Sequence, residues 1–345
     1  MTIYLLLALC LSLLCLFRNC KWIVWVVAIL LIIIAGFRAE SVGTDTQNYE
    51  NLFEWYGDEL IGASHANEPG YALLQLLVVR SGLSYRAMAF ICQMLIIILL
   101  SLYARKVCHH PQYLMLCYLL LYFYFYSFNT TRQYIAIPFL LFAYECLDKG
   151  NTKQAILLII CATMFHNAAF IGFLVLIFKR WHWSPSLQII LLATTFIIGI
   201  TSIPQVLSLG FASYMPIDFV EDYVLRTSDY RELGFSLSRF LLTGFSILLV
   251  VMLKNNSNRL CIMTLGICIL NLFAFQPVVA RMAQCFTIIQ ITIIPEISYM
   301  IRSAYKRSAL LIRVVAFIYM TVVFLYLLSA NVADVVPYVF GGFHF

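Results

Sequence analysis

Residues 154–178, QAILLIICATMFHNAAFIGFLVLIF, decide how this chain threads through its surroundings. They run for 25 residues without a charged side chain, and about 17–25 apolar residues span a bilayer as a helix. His166 and Asn167 interrupt the run at its centre. It reads either as one span with a buried histidine or as two half-length helices turning back at His166. The rest of the chain resembles it: of 345 residues 63% are hydrophobic and 11% charged, with a mean hydropathy of +0.92. A soluble domain carries about 45–50% apolar and about 25% charged residues. The chain is therefore an all-α polytopic membrane protein, with residues 1–345 forming a single transmembrane domain.

Apolar runs place about ten full spans at 2–17, 22–37, 87–104, 112–128, 133–147, 186–203, 237–253, 260–275, 282–300 and 308–329. The stretch 71–79 is too short to cross and reads as a re-entrant or interfacial helix. The N-terminal MTIYLLLALCLSLLCLF has neither a basic flank nor a small-residue cleavage site, so it reads as a retained first span. The positive-inside rule then chooses between the two readings of 154–178. With both termini outside and 154–178 a half-helix hairpin, the knots Arg18/Lys21, Arg105/Lys106, Lys149/Lys153, Lys179/Arg180, Lys254/Arg259 and Arg302/Lys306/Arg307 all face the cytoplasm. A single span there would put Lys179 and Arg180 outside, against every other knot. Topology also accounts for the net charge of +6, which implies no nucleic-acid partner. The eleven cysteines form no Cys-x-x-Cys pair and fall almost entirely within apolar runs, so neither a disulfide framework nor a thiolate metal site is expected.

This threading sorts the charges. All seven lysines become cytoplasmic, whereas the outer basic residues are all arginines: Arg38, Arg80, Arg86, Arg132, Arg226, Arg231, Arg239 and Arg281. Topology asks for fewer cations outside but has no preference for guanidinium, whose planar fork grips phosphate or carboxylate in bidentate fashion. Of sixteen acids, seven lie in loop 38–70 and five in loop 204–238, so any chemistry is expected on the outer face.

Candidate site residues sit at the outer edges of spans, where an ionised group is costly. Arg38 opens GFRAESVGTDTQNY, in which Thr44 and Thr46 flank Asp45; a cap on a helix starting near Gln47 explains Asp45 equally well. Glu68, in EPGY, precedes the short 71–79 element and has the same alternative. Arg132 follows an aromatic run, Tyr122–Phe128, which reads as an interfacial belt that could double as a sugar-stacking platform. Arg281 sits between two spans in FQPVVARMAQC, and snorkelling accounts for it as well as ligand binding does. His166 at the hairpin tip could take a proton from a hydroxyl at neutral pH, or could be a structural histidine. No metal-ligand spacing and no Walker, Gly-x-Gly-x-x-Gly or Gly-x-Ser-x-Gly motif occurs, so no cofactor is expected.

Five strings carry a resemblance: GFRAESVGTDTQNYENLF, EPGYALL, NTTRQYIA, FHNAA and ARMAQCF, spread from Gly36 to about Pro295. In order and spacing they resemble the EpsG-like group of Wzy-type polysaccharide polymerases; loop 204–238 matches in position and character but in no motif. The resemblance implies a glycosyltransferase-C-like architecture in the bacterial inner membrane. It implies an enzyme that joins undecaprenyl-diphosphate-linked oligosaccharide repeat units of O-antigen, capsule or exopolysaccharide by block transfer at the periplasmic face. Membrane lipids, a chain-length regulator and a flippase are the partners that go with that role. On this reading Arg132, Arg281, Arg38 and Arg239 hold the donor diphosphate, and the base is His166, Asp45 or Glu68, with His166 best suited by its ordinary pKa of about 6.5. The rival readings are an O-antigen ligase or membrane acyltransferase, and a lipid-linked glycan flippase. A flippase would need charge along a path through the membrane, yet the spans are nearly charge-free and their only acids are Glu145 and Glu296, near their cytoplasmic ends.

Overall fold

The structure is a computed structural model that describes residues 1–17, 21–56, 68–178, 183–212, 234–253, 257–300 and 306–342. Expectations for 57–67 and 213–233, the middles of the two outer loops, lie outside the described residues. So do those for Arg18, Lys179, Arg180, Lys254 and Arg302. Every helix or strand element among the described residues is helical. Three helices are long and apolar enough to cross a membrane: Tyr85–Val107, Pro277–Ile297 and Ala309–Ser329. Seven shorter apolar helices of 10–17 residues accompany them, among them Thr2–Leu14, Ile23–Gly36, Thr152–Phe165 and Leu237–Leu253.

The expected full-length spans differ from the observed helices mainly where the backbone breaks. The expected span 112–128 is two helices, Pro111–Leu120 and Phe123–Asn129. Between them Tyr122 takes a left-handed φ of 71°, which ends an α-helix. The expected span 186–203 stops at Gly199, and Ile203–Ala212 forms a separate helix. The expected span 282–300 starts earlier, because Pro277 fills the first helical position, where a missing N–H costs nothing. Arg281 is therefore inside a helix and not in a connection.

The stretch 154–178 breaks at its centre. Helix Thr152–Phe165 ends at His166, whose φ of −158° and ψ of 122° are extended, and a 3-10 turn then covers Asn167–Phe173. A Cβ on Gly172 would lie 3.6 Å from Ile159, so the chain returns along the arm it came from. Gly172 sits six residues past the break and Ile159 seven before it, as in a hairpin with His166 at its tip.

The aromatic run is not an interfacial belt. Tyr122, Phe123, Tyr124, Phe125 and Phe128 are buried, because the turn at Tyr122 directs them into the bundle. There Phe125 packs edge-on against Tyr4 at 4.8 Å and lies 6.1 Å from Phe324. These rings join the first and last helices, and they present no sugar-stacking face.

The bundle has two chemically distinct ends. At one, Glu145 pairs with Arg259 at 2.8 Å and Lys149 at 3.0 Å. Glu296 at this end accepts from the backbone N–H of His109 at 2.9 Å. At the other lies Arg132, thirteen residues before Glu145 on helix Thr131–Asp148 and so about 20 Å away at 1.5 Å per residue. Near Arg132 the C-terminal segment folds back over residues 37–43. Ala39 N–H donates to Val339, Gly43 N–H to Asp334 and Gly341 N–H to Phe37, at 2.8–2.9 Å.

Candidate active site

Three short backbone features bring one carboxylate to an arginine and a histidine. Pro69 starts helix Pro69–Arg80 and leaves Glu68 just outside it, at φ −130° and ψ 66°. Gly70 lets that helix end approach the hairpin tip: a Cβ there would stand 3.0 Å from the Met164 carbonyl oxygen. His166 follows two residues later in an extended conformation that ends its helix and turns the ring aside. Arg132 enters from the first turn of helix Thr131–Asp148.

The result is a network centred on Glu68, which is 5% exposed. Its Oε2 accepts from Arg132 Nη1 at 2.6 Å, and its Oε1 meets His166 Nδ1 at 2.7 Å and accepts from the Asn167 N–H at 3.2 Å. Helix capping does not explain Glu68, because its side chain makes no cap hydrogen bond. Burial pushes the Glu68 carboxyl up, but the His166 hydrogen bond, the Arg132 charge and the Asn167 N–H together hold it below its usual value. Glu68 is therefore ionised at neutral pH and can only accept. Nδ1 of His166 must then carry the proton, which leaves Nε2 with its lone pair whenever the ring is neutral.

His166 and Arg132 line a cavity of about 380 Å³. Asp45, Asn48, Tyr49, Asn129, Gln133 and Arg281 line it too. The Arg132 guanidinium lies 5.5 Å from the Tyr49 ring and 5.7 Å from the Tyr71 ring, where cation–π attraction holds it. Arg281 is exposed to the cavity and has no ion pair among the described residues. Gln133 Nε2 donates to the Arg281 carbonyl at 2.6 Å and so ties the two arginine-bearing helices together. Asn129 is 7% exposed and donates Nδ2–H to Ala333 at 2.9 Å, while its Oδ1 has no partner. Such an orphaned acceptor beside a polar cavity suits a hydroxyl-rich ligand.

Of the seven residues singled out in the sequence, five meet here: Glu68, His166, Arg132, Arg281 and Asp45. Arg38 and Arg239 do not line this cavity. Arg38 is buried, donates to the carbonyls of Ala35 at 2.6 Å and Phe128 at 3.3 Å, and lies over the Phe128 ring. Arg239 is also buried, donates to the carbonyls of Gly199 and Asn271 at 3.3 Å, and lines a neighbouring cavity that shares Arg281. Tyr49, Asn129 and Gln133 were not singled out, although each lies within a string already quoted, TDTQNY or NTTRQY.

The site can take a proton at Nε2 of His166, hold the resulting imidazolium against Glu68, and offer guanidinium to an anion at Arg281. No curated protein and no solved structure matches the chain. One family model does, over residues 21–340, which covers all five strings and every residue of the site. The chain thus belongs to the EpsG family, a family of Wzy-like polymerases involved in exopolysaccharide biosynthesis.

Proposed function

We propose that this protein joins oligosaccharide repeat units carried on undecaprenyl diphosphate, by block transfer at the periplasmic face of the bacterial inner membrane. The reading includes the finer topology: about ten spans in a glycosyltransferase-C-like arrangement with both termini outside. The observation that carries it is the Glu68–His166 pair opening on a cavity that also holds Arg281, an arginine with no ion pair among the described residues.

In the reaction the terminal sugar hydroxyl of one lipid-linked unit gives its proton to Nε2 of His166. Its oxygen forms a bond to the anomeric carbon of the donor glycan as the bond from that carbon to the diphosphate breaks. The lipid diphosphate leaves with the bonding pair. Glu68 stabilises the imidazolium, as a carboxylate does in other acid–base pairs, and general base assistance contributes about 10²–10⁴-fold. Arg281 faces the negative charge that grows on the leaving group, where a guanidinium in a site with little water stabilises the transition state by several kcal/mol. Arg132 spends one donor on Glu68 and adds its charge to the cavity wall, so it both positions the base and attracts the anion.

The test is polymer formation by the full chain in proteoliposomes supplied with purified lipid-linked repeat units. His166→Ala should abolish the ladder of longer glycans. Arg281→Lys, which keeps the charge and removes the fork, should cut it severely. A normal ladder from His166→Ala would overturn the reading. So would transfer onto a lipid A core acceptor without chain growth, which is the ligase outcome.

A further inference from the structure

A second cavity, of about 500 Å³, lies against the first, and Arg281 borders both. Its chemistry changes with depth. Arg281 stands exposed at the outer rim beside the buried Arg239, and no Asp or Glu among the described residues lines it. Below the rim its wall is mostly aliphatic and aromatic, with Leu242, Tyr319, Val323 and Leu327 among its lining, while Gln284, Thr287 and Gln290 line it from helix Pro277–Ile297. The cavity follows helix Pro277–Ile297 from Arg281 to Gln290, nine residues or about 13 Å, which is nearly half of a hydrocarbon core about 30 Å thick.

It also reaches the side of the bundle. Tyr326 lines the cavity and is 43% exposed, and Val322, one turn before it, is 44% exposed. Tyr326 belongs to helix Lys306–Ser329, and Ser238, Arg239 and Leu242 line the cavity from helix Leu237–Leu253, so the opening between those helices faces whatever surrounds the apolar flank. An exposed guanidinium at the rim, a largely apolar shaft nearly half a membrane deep and a lateral opening match an anionic headgroup attached to a long hydrocarbon chain. The volume is in the range of small-ligand sites, enough for the headgroup-proximal part of such a chain.

We propose that this cavity seats the first isoprene units of the lipid diphosphate. The diphosphate rests at Arg281, the glycan extends into the first cavity toward His166, and the remainder of the chain leaves through the seam between Leu237–Leu253 and Lys306–Ser329. This rests on the lipid-diphosphate donor proposed above, and it assigns that donor a place. Helix Pro277–Thr287 becomes the divider between a sugar chamber and a lipid chamber, with one guanidinium serving both.

Photo-crosslinking of the full chain in phosphatidylcholine nanodiscs with a diazirine-bearing farnesyl diphosphate tests this without requiring turnover. In the unmodified protein the label should map to helices Leu237–Leu253 and Lys306–Ser329. Unlabelled geranylgeranyl diphosphate should displace it, whereas inorganic diphosphate or phosphatidylglycerol at equal concentration should not. Leu242→Trp and Val323→Trp, which fill the shaft, should lower labelling at least about tenfold, and His166→Ala should leave it unchanged. Labelling elsewhere on the unmodified protein, or equal displacement by inorganic diphosphate or by phosphatidylglycerol, would overturn the proposal. Labelling in the shaft with no polymer formed would sink the polymerase and leave this lipid site standing; polymer formed with the label elsewhere would do the reverse.

Discussion

Replacing Glu68 by Gln tests the site most directly, because it changes one atom and alters three partners. Oε1 accepts from His166 and from the Asn167 N–H, and Oε2 accepts from Arg132. A glutamine that keeps its oxygen toward His166 presents an NH₂ to the Arg132 donor, which is repulsive. Turned round, it donates to Nδ1 of His166, forces the proton onto Nε2 and removes the base. The second arrangement satisfies the charged Arg132 donor at 2.6 Å and gives up only the longer 3.2 Å bond from the Asn167 N–H, so it should win. Holding a catalytic imidazole in the wrong tautomer costs about 10⁴ in kcat where it has been measured in hydrolases. Here the His166 side chain is 27% exposed and less confined, so about 10³-fold is expected, or about 4 kcal/mol of transition-state stabilisation. Folding should suffer as well, by about 3 kcal/mol, because Arg132 is left partly buried without its counter-charge. The assay is the initial rate of glycan extension per folded molecule, with thermal unfolding measured on the same samples. A folded Glu68→Gln protein within tenfold of the unmodified kcat would refute the base assignment. The pH dependence supplies a second check. The carboxyl of Glu68 is lowered on folding, so its stabilisation is complete above the ordinary glutamate value of about 4.3 and is lost as pH falls through the lowered value. The difference in unfolding temperature between the two proteins should therefore shrink as pH falls below about 4.

Other substitutions separate geometry from chemistry. Gly70→Ala places a Cβ 3.0 Å from the Met164 carbonyl and should push Glu68 away from His166, lowering kcat at least tenfold with little change in unfolding temperature; an unchanged rate would show that this contact does not set the site. Gly199→Ala brings a Cβ to 1.9 Å from the Asn271 carbonyl oxygen, an overlap no rotamer relieves, so a loss of at least about 3 kcal/mol should appear in unfolding. Arg239→Lys should also destabilise, since one ammonium cannot hold the carbonyls of Gly199 and Asn271 as the fork does; melting at the unmodified temperature would contradict that role. Arg259→Met breaks the pair with Glu145 at the opposite end and should lower stability without changing extension rate per folded molecule.

How much of this was legible in the sequence depended on the kind of signal. The hairpin could be read because charge bookkeeping across the whole chain is sensitive to one extra crossing, and a His–Asn pair at the middle of an apolar run marks where helical hydrogen bonding fails. Glu68, His166 and Arg132 could be singled out as ionisable groups at the edges of apolar runs, but not joined, since 98 residues separate Glu68 from His166. The packing of helix Pro69–Arg80 against helix Thr152–Phe165, closest where Gly70 meets Met164, joins them, and neither hydropathy nor propensity encodes a contact between two helix ends. The left-handed turn at Tyr122 was invisible for a related reason. A tyrosine carries no mark of positive φ, so an aromatic run that fills the core had the same appearance as one that faces an interface.

The preference for arginine on the outer face changes meaning once each guanidinium has a place. Arg38 donates to the carbonyls that close helices Ile23–Gly36 and Phe123–Asn129, and Arg239 donates to those that close Pro185–Gly199 and Asn258–Phe273. Arg86 binds the Glu40 carboxylate at 2.7 Å and the Gly341 carbonyl, fastening the C-terminal segment over the outer loop. Arg132 holds Glu68. The last carbonyls of a helix have no partner within it, and a chain built from broken helices has many such ends at membrane depth, where water does not satisfy them. A planar group with five donors can reach two helix ends at once; a lysine ammonium cannot. Two of these arginines, Arg38 and Arg239, are thus required by the breaks in the helices, while Arg86 and Arg132 are held by the carboxylates of Glu40 and Glu68. Arg281 differs from these four: it is exposed between the two cavities with no ion pair among the described residues, which leaves its guanidinium available to a phosphate.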